Sequence, residues 1–109
     1  MNFNVHPAFE HDLRRFEGEY ALVYAELGLR FHREVVESLL AIQTGPNYAG
    51  HLIKIKSEII AQARRRNLHS FPFFVLYGMR GDAILITSLV HGKSNPANWL
   101  KRLRYWEKI

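Results

Sequence analysis

The chain has 109 residues, 48% of them hydrophobic and none of them cysteine, which suits one domain with a modest core and excludes disulfides and thiolate metal sites. The net charge of +5 is unevenly spread: residues 1 to 44 carry four basic and seven acidic side chains, and residues 45 to 109 carry eleven basic and three acidic ones. Such a field favours an acidic partner over the second part, although ordinary solubility charge is the alternative. No secretory signal or apolar run of about 20 residues is present, so we expect one soluble, cytoplasmic domain over residues 1 to 109, without a membrane partner.

Two helices are predicted after a short first strand, Asn2 to Val5. Pro7 suits a helix start, and apolar residues then recur at steps of four and three: Phe9, Leu13, Phe16, Tyr20, Val23 and Leu27. A second stripe follows Gly28 and stops at Thr44-Gly45-Pro46: Phe31, Val35, Leu39 and Ile42, widened by Val36 and Leu40. Two antiparallel helices joined near Gly28 fit this pattern. Val36 and Leu40 widen the second stripe, as expected if that helix packs on a sheet as well as on its neighbour.

The remaining segments favour strands and a last helix. Ile53 and Ile55 alternate with lysines in a short strand or an extended loop, and "SEIIAQARRRN", residues 57 to 67, suits a helix by propensity. Two β-rich runs, 71–77 and 83–90, flank a glycine-containing connection and predict a hairpin. In "LVHGKSNPANW", residues 89 to 99, Gly92 suits a sharp turn, after which Asn95 and Pro96 begin a basic amphipathic helix.

Several of these segments together resemble the RelE/ParE superfamily of toxins, most closely its ParE branch. The matching segments are "HPAFEHDL" at 6–13, "GLRFHREVVESLLAI" at 28–42, "FPFFVLY" at 71–77 and "GDAILITSLVHGKSNPANW" at 81–99. The resemblance implies an α+β fold: an N-terminal strand, an antiparallel helix hairpin on a curved antiparallel sheet of about four strands, and a short C-terminal helix. It also implies a strand, rather than a helix, over Ala63 to Ser70. Gly78 departs from the family, since many relatives carry arginine there.

The resemblance implies the toxin of a type II toxin–antitoxin system. ParE-branch relatives inhibit DNA gyrase without cleaving nucleic acid, and this is the activity we expect. A RelE-like, ribosome-dependent endoribonuclease is one alternative. Such cleavage needs proton carriers and cations around the phosphate, and the chain contains residues of both kinds. The candidates for those roles are His69, His91, Arg66, Arg80 and Lys93. An inactive relative that keeps only antitoxin binding is the other alternative.

The expected partner is an acidic, ParD-like antitoxin that folds on binding, in a heterotetramer or a larger assembly. Target binding is assigned to Lys93, Trp99, Lys101, Arg102, Arg104 and Trp106. Antitoxin binding is assigned to Tyr20, Tyr24, Arg64, Arg65 and Arg66. Packing is the alternative role for the two tyrosines and for Trp99, and local hydrogen bonding is the alternative for His91. No cofactor is expected, and the six histidines lack metal-binding spacing.

Overall fold

The computed structural model describes residues 2–54 and 61–107, with side chains over 2–54 and 62–102. Its strands are β1 (Asn2–Val5), β2 (His51–Leu52), β3 (Ala61–Asn67), β4 (Phe73–Arg80) and β5 (Ala83–His91). Its helices are α1 (Phe9–Val23), α2 (Ala25–Thr44), α3 (Pro46–Ala49) and α4 (Pro96–Glu107). The strands form a sheet in the order β1-β5-β4-β3-β2, in which β1 is parallel to β5 and the other pairs are antiparallel.

The predicted α+β architecture is confirmed, with two refinements. The sheet has five strands rather than about four, because His51 and Leu52 pair with Arg65 and Arg64 in the middle of β3. The first strand adds in parallel to β5, which the sequence did not indicate. The strand predicted over Ala63–Ser70 is confirmed as far as Asn67, where pairing with β4 outweighs the helix propensity of the segment. Ile55 lies outside the described residues.

The second strand of the β4–β5 hairpin is apolar from Ala83 to Val90 except for Thr87 and Ser88. Gly81 has a φ of +61°, which suits the first central position of a two-residue hairpin turn. The pairing register shifts beside Thr87, whose hydroxyl donates to the Leu76 carbonyl at 3.0 Å. The shift is a β-bulge, and it changes which side chains face each side of the sheet. Both sides of β5 are buried, so most of its residues are apolar on both.

The two long helices separate at Tyr24 rather than near Gly28, so the predicted position of the junction is wrong. Tyr24 is extended, with φ −163° and ψ 150°, while Gly28 lies inside α2. A Cβ at Gly28 would lie 2.9 Å from the Cβ of Ala21 and 3.0 Å from the Glu17 carbonyl oxygen. Gly28 therefore allows α2 to approach α1 closely, which is a packing role and not a turn.

The two helices cover one face of the sheet and α4 covers part of the other. The core under the helices contains Phe9, Leu13, Phe31, Val35, Ile42, Phe73, Val75, Tyr77, Ile84, Ile86 and Leu89. The opposite face has a smaller cluster, with Trp99 and Leu100 of α4 packed against it: Ala63, Phe74, Leu76, Leu85 and Val90. The expectation that Val23, Val36 and Leu40 pack inward is wrong, because all three are exposed. In α2 the buried stripe includes Ser38, opposite the exposed Val36 and Leu40.

Candidate functional site

The segment after β5 forms the capped helix start that the sequence predicts. The backbone N–H of Gly92 donates to the Pro72 carbonyl at 2.7 Å, and that of Ser94 donates to the His91 carbonyl at 2.9 Å. The Asn95 side chain then accepts the N–H of Ala97 at 3.0 Å, which satisfies one of the unpaired donors of the helix start. The turn and the cap direct α4 back over the sheet.

Two of the residues assigned to target binding hold α4 in place. The Trp99 ring meets the Phe74 ring edge-on, with centroids 5.8 Å apart. The Arg102 guanidinium pairs with the Asp12 carboxylate of α1, and both side chains are largely buried. Burial lowers the pKa of the nearby His6, and the Arg102 charge adds to this while Asp12 opposes it. Trp99 and Arg102 therefore dock the helix on the sheet and on α1.

Two more of the residues assigned to target binding are exposed lysines. Lys93 and Lys101 are exposed and make no ion pair among the side chains that the structure describes. They provide two solvated positive charges, one in the turn before α4 and one on the helix itself. The side chains of Arg104 and Trp106 lie outside the described residues.

The three consecutive arginines of β3 point to both sides of the sheet. Arg64 donates to the Gly50 carbonyl at 2.9 Å and Arg66 donates to the Ala49 carbonyl at 2.8 Å, and the Nε atoms of both are buried without a partner. On the other face, the Arg65 guanidinium lies 3.9 Å from the centroid of the Phe74 ring, a cation–π contact. Arg64 and Arg66 thus fasten the α3–β2 corner to the sheet.

Sequence reasoning missed the corner between α3 and β2 that these arginines hold. The buried Tyr77 hydroxyl donates to the Pro46 carbonyl at 2.6 Å. Burial raises the pKa of Tyr77, while the charges of Arg64 and Arg66 and a hydrogen bond to the backbone of Gly50 oppose that shift. A Cβ at Gly50 would lie 2.7 Å from the Arg65 carbonyl oxygen, so only glycine fits there. In the sequence, Tyr77 looks like one more apolar residue of a strand, and no spacing identifies Pro46 as the partner of its hydroxyl.

A cleft of about 610 Å³ opens between α2, the α3–β2 corner and the end of β3. Its lining includes Arg65, Arg66 and His69 from the predicted sets, together with Glu34 and Glu37 of α2. A second cleft, of about 200 Å³, lies between α1 and α4 and is lined by His91, Asp12, Ser88 and Arg102 among others. The Ser88 hydroxyl is buried there without a hydrogen-bond partner. The structure therefore places His69 and His91 in different clefts.

Of the residues assigned to RNA cleavage, Arg80 lies far from His91 and Lys93. Arg80 pairs with Ala83 beside the hairpin turn, whereas His91 pairs with Phe73 at the other end of the same two strands. Seven strand steps separate those ends, about 23 Å. His91 Nδ1 accepts the N–H of Lys93 at 3.1 Å, and its ring lies against Phe73. These local contacts hold the imidazole ring in place.

The two tyrosines assigned to antitoxin binding occupy different environments. Tyr20 packs against aromatic rings of the core, with its centroid 4.8 Å from that of Phe71 and 5.1 Å from that of Phe31. Burial raises the pKa of its hydroxyl. Tyr24 stands at the helix junction and is half exposed. Tyr24 can therefore meet a partner through its ring, while most of Tyr20 is used within the fold.

Comparison with protein-family models gives no match, and comparison with curated proteins gives none either. Among solved structures, the chain is similar to a chain of the chromosomal ParDE toxin–antitoxin system from P. aeruginosa. The TM-score is 0.70 at 20% sequence identity, over 84% of this chain and 95% of that chain. The protein has a ParE/RelE-like fold. At this identity the likeness concerns the architecture, because most side chains differ.

Within this ParE/RelE-like fold, the described surface combines exposed charges with exposed apolar side chains. No three His, Asp or Glu side chains gather as a metal site in the part of the chain that the structure describes. None of the helices in residues 2–54 and 61–107 is long and apolar enough to span a membrane. What the surface does offer is exposed positive charge near α4, a cleft lined by both charge signs, and exposed apolar side chains on α2.

Proposed function

We propose that the protein is the toxin of a type II toxin–antitoxin system, that it belongs to the ParE branch, and that it arrests growth by inhibiting DNA gyrase in the cytoplasm. One observation carries the proposal: the likeness to a chain of a ParDE system extends over 95% of that chain and 84% of this one. The likeness thus includes both layers of the fold, rather than a common motif within it. The ParE-like exit from β5 in the sequence adds to it.

The charge distribution supports a binding role toward acidic macromolecules. The part of the chain with the two long helices, residues 1 to 44, has a net charge of −3, and the remainder has +8. Opposite charges speed the encounter of two macromolecules and make it sensitive to salt. We infer that an acidic, ParD-like antitoxin neutralises the toxin and folds on binding. Two copies of each chain would then assemble through the antitoxin.

The dispersal of the candidate catalytic residues supports inhibition without cleavage. Cleavage of RNA by attack of a 2′-hydroxyl on phosphorus needs a base to deprotonate that hydroxyl, an acid to protonate the 5′-oxygen that leaves, and a cation beside the phosphorus atom. His69, His91 and Arg80 lie in two clefts and at the hairpin turn. A protein that binds its target and blocks it has no need of such an arrangement.

A supercoiling assay tests the proposal directly. Purified toxin, free of antitoxin, is titrated against gyrase and relaxed plasmid DNA, and we expect supercoiling to fall with dose and to recover when the antitoxin is added first. Unchanged supercoiling at excess toxin would contradict gyrase inhibition. Discrete cuts within codons, mapped by primer extension in expressing cells, would support the endoribonuclease instead. Unimpaired growth on induction would support an inactive relative.

A further inference from the structure

Helix α2 carries apolar side chains on two opposite faces. Phe31, Val35, Ser38 and Ile42, spaced by four, three and four residues, form the face buried against the sheet. On the reverse side, Leu29, Val36 and Leu40 are 57%, 38% and 56% exposed and are spaced by seven and four residues, which places them in one line. A surface helix of a small protein normally exposes polar residues there, so this second stripe needs an explanation.

The exposed stripe continues past both ends of α2. At the helix junction, before the first turn of α2, three more apolar side chains are exposed: Leu22, Val23 and Tyr24. Beyond its last turn, Tyr48 of α3 is 94% exposed. Exposed apolar residues thus occur along the whole length of α2 and just beyond it, whereas the exposed side of α1 carries two ion pairs, Glu10 with Arg14 and Arg15 with Glu19.

Two charged residues border the stripe on the same side. Arg33 and Glu37 follow Leu29 by four and eight residues, which turns both toward one flank of the helix. Both are exposed, and neither forms an ion pair among the described side chains. By contrast, the charged pairs of α1, Glu10 with Arg14 and Arg15 with Glu19, are satisfied within that helix.

We propose that this face of α2 binds the same face of a second copy of the chain, with the two helices antiparallel about a two-fold axis. Such an axis places the same flank of each helix against its counterpart, so the interface must complement itself. When Leu29 lies level with Leu40 of the second copy, Arg33 of each chain comes within one residue of Glu37 of the other. Both apolar contact and two symmetric ion pairs then form in one register.

The same register accounts for the apolar residues beyond the helix. Residue 25 at the start of one α2 lies level with residue 44 at the end of the other. The junction residues Leu22 to Tyr24 therefore come level with the segment after α2 of the second copy, which contains Tyr48. A single interface would therefore include the exposed stripe and the apolar residues at both of its ends.

The charges also reject the competing arrangements. Sliding the antiparallel helices by about two turns would place Glu26 against Glu37 and Arg30 against Arg33, because those pairs of residue numbers have the same sum. Parallel helices related by a two-fold axis would place the flank that carries Arg33 and Glu37 on opposite sides of the contact, so neither ion pair could form. Like charges opposite each other cost stability in an interface, so the charges favour the first register over this slide and over a parallel arrangement.

Sedimentation velocity of the purified chain and of charge-swapped variants tests the interface. We expect a dimer in the wild type and a dissociation constant about tenfold or more higher for Arg33→Glu, and likewise for Glu37→Arg, because each places like charges opposite one another. The double variant Arg33→Glu/Glu37→Arg restores opposite charges and should dimerise again. Arg14→Glu, the same change of charge on the exposed side of α1, is the control and should leave the dimer intact.

Two results would overturn the interface. A wild-type chain that stays monomeric up to its solubility limit excludes the second copy as the occupant of the stripe. A dimer that Arg33→Glu does not weaken, or that the double variant does not restore, forms elsewhere on the molecule. Far-UV circular dichroism of each variant confirms that it is folded. Because sedimentation measures mass and not gyrase inhibition, its result tests the dimer without depending on the proposed function.

Discussion

Two glycines in helix interiors have opposite environments, which makes them a matched pair for a stability test. A Cβ at Gly18 would meet nothing within 4 Å, whereas one at Gly28 would lie 2.9 Å from the Cβ of Ala21. Alanine in place of glycine gains about 1 kcal/mol of helix propensity at either site. We expect Gly18→Ala to raise the free energy of unfolding, and Gly28→Ala to lose that gain or reverse it, because the helices must separate. Urea unfolding gives both values, and equal stabilisation of both variants would contradict the close approach of the helices.

The buried hydroxyl of Tyr77 predicts a pH dependence of stability. Burial raises the pKa of Tyr77 above its usual 10.0, so the folded chain keeps a proton that the unfolded chain releases. Stability from this group is therefore complete below pH 10 and declines as the pH rises toward the folded pKa. Tyr77→Phe should lower the free energy of unfolding at neutral pH by about 1–2 kcal/mol, since the Pro46 carbonyl loses its donor.

Urea unfolding below and above pH 10 measures both effects. The wild type should lose more stability across this range than Tyr77→Phe does. Part of the loss should remain in the variant, because burial raises the pKa of Tyr20 as well. Equal losses in the two proteins would mean that Tyr77 ionises as easily in the folded chain as in the unfolded one.

At the scale of elements, the pair of Arg102 with Asp12 is one of the contacts that hold α4 in place. Removing it by Arg102→Gln should let α4 open more often, because the pair is largely buried and links α4 to α1. We expect amide hydrogen exchange over residues 96–107 to quicken about fivefold, in line with about 1 kcal/mol for such a pair. Lys101→Gln removes the neighbouring exposed charge and should leave the exchange unchanged. Similar exchange in both variants would contradict the docking role of Arg102.

The elements that sequence reasoning found are those with local signals. The Asn95 cap, the Gly81 turn and the helix stop at Gly45 each depend on residues within a few positions of one another. The pair of Asp12 with Arg102 joins residues 90 positions apart, and no period or motif marks it. Strand β3 required the family resemblance, because its own residues favour a helix. Gly28 was misread because a glycine at a close approach looks, in sequence, like a glycine at a turn.

At the scale of the whole molecule, opposite charges are separated between the two parts of the chain. The helices of residues 1 to 44 carry the excess of acidic residues, and the sheet and α4 region carries the basic ones. If the total charge alone drew the protein to its target, any two cations would contribute equally. If the surface near α4 binds the target, Lys93 and Lys101 should matter more than cations on the helices, because short-range contacts decide the stability of a complex.

Two charge-matched double variants separate these possibilities. Lys93→Gln/Lys101→Gln and Arg14→Gln/Arg30→Gln remove two positive charges each, the first beside α4 and the second from the exposed sides of α1 and α2. We expect the lysine variant to need about tenfold more protein for half-inhibition of gyrase and to show a weaker salt dependence, while the arginine variant stays close to wild type. Equal loss in both would assign the attraction to net charge, and full inhibition by the lysine variant would place the target-binding surface away from these two lysines.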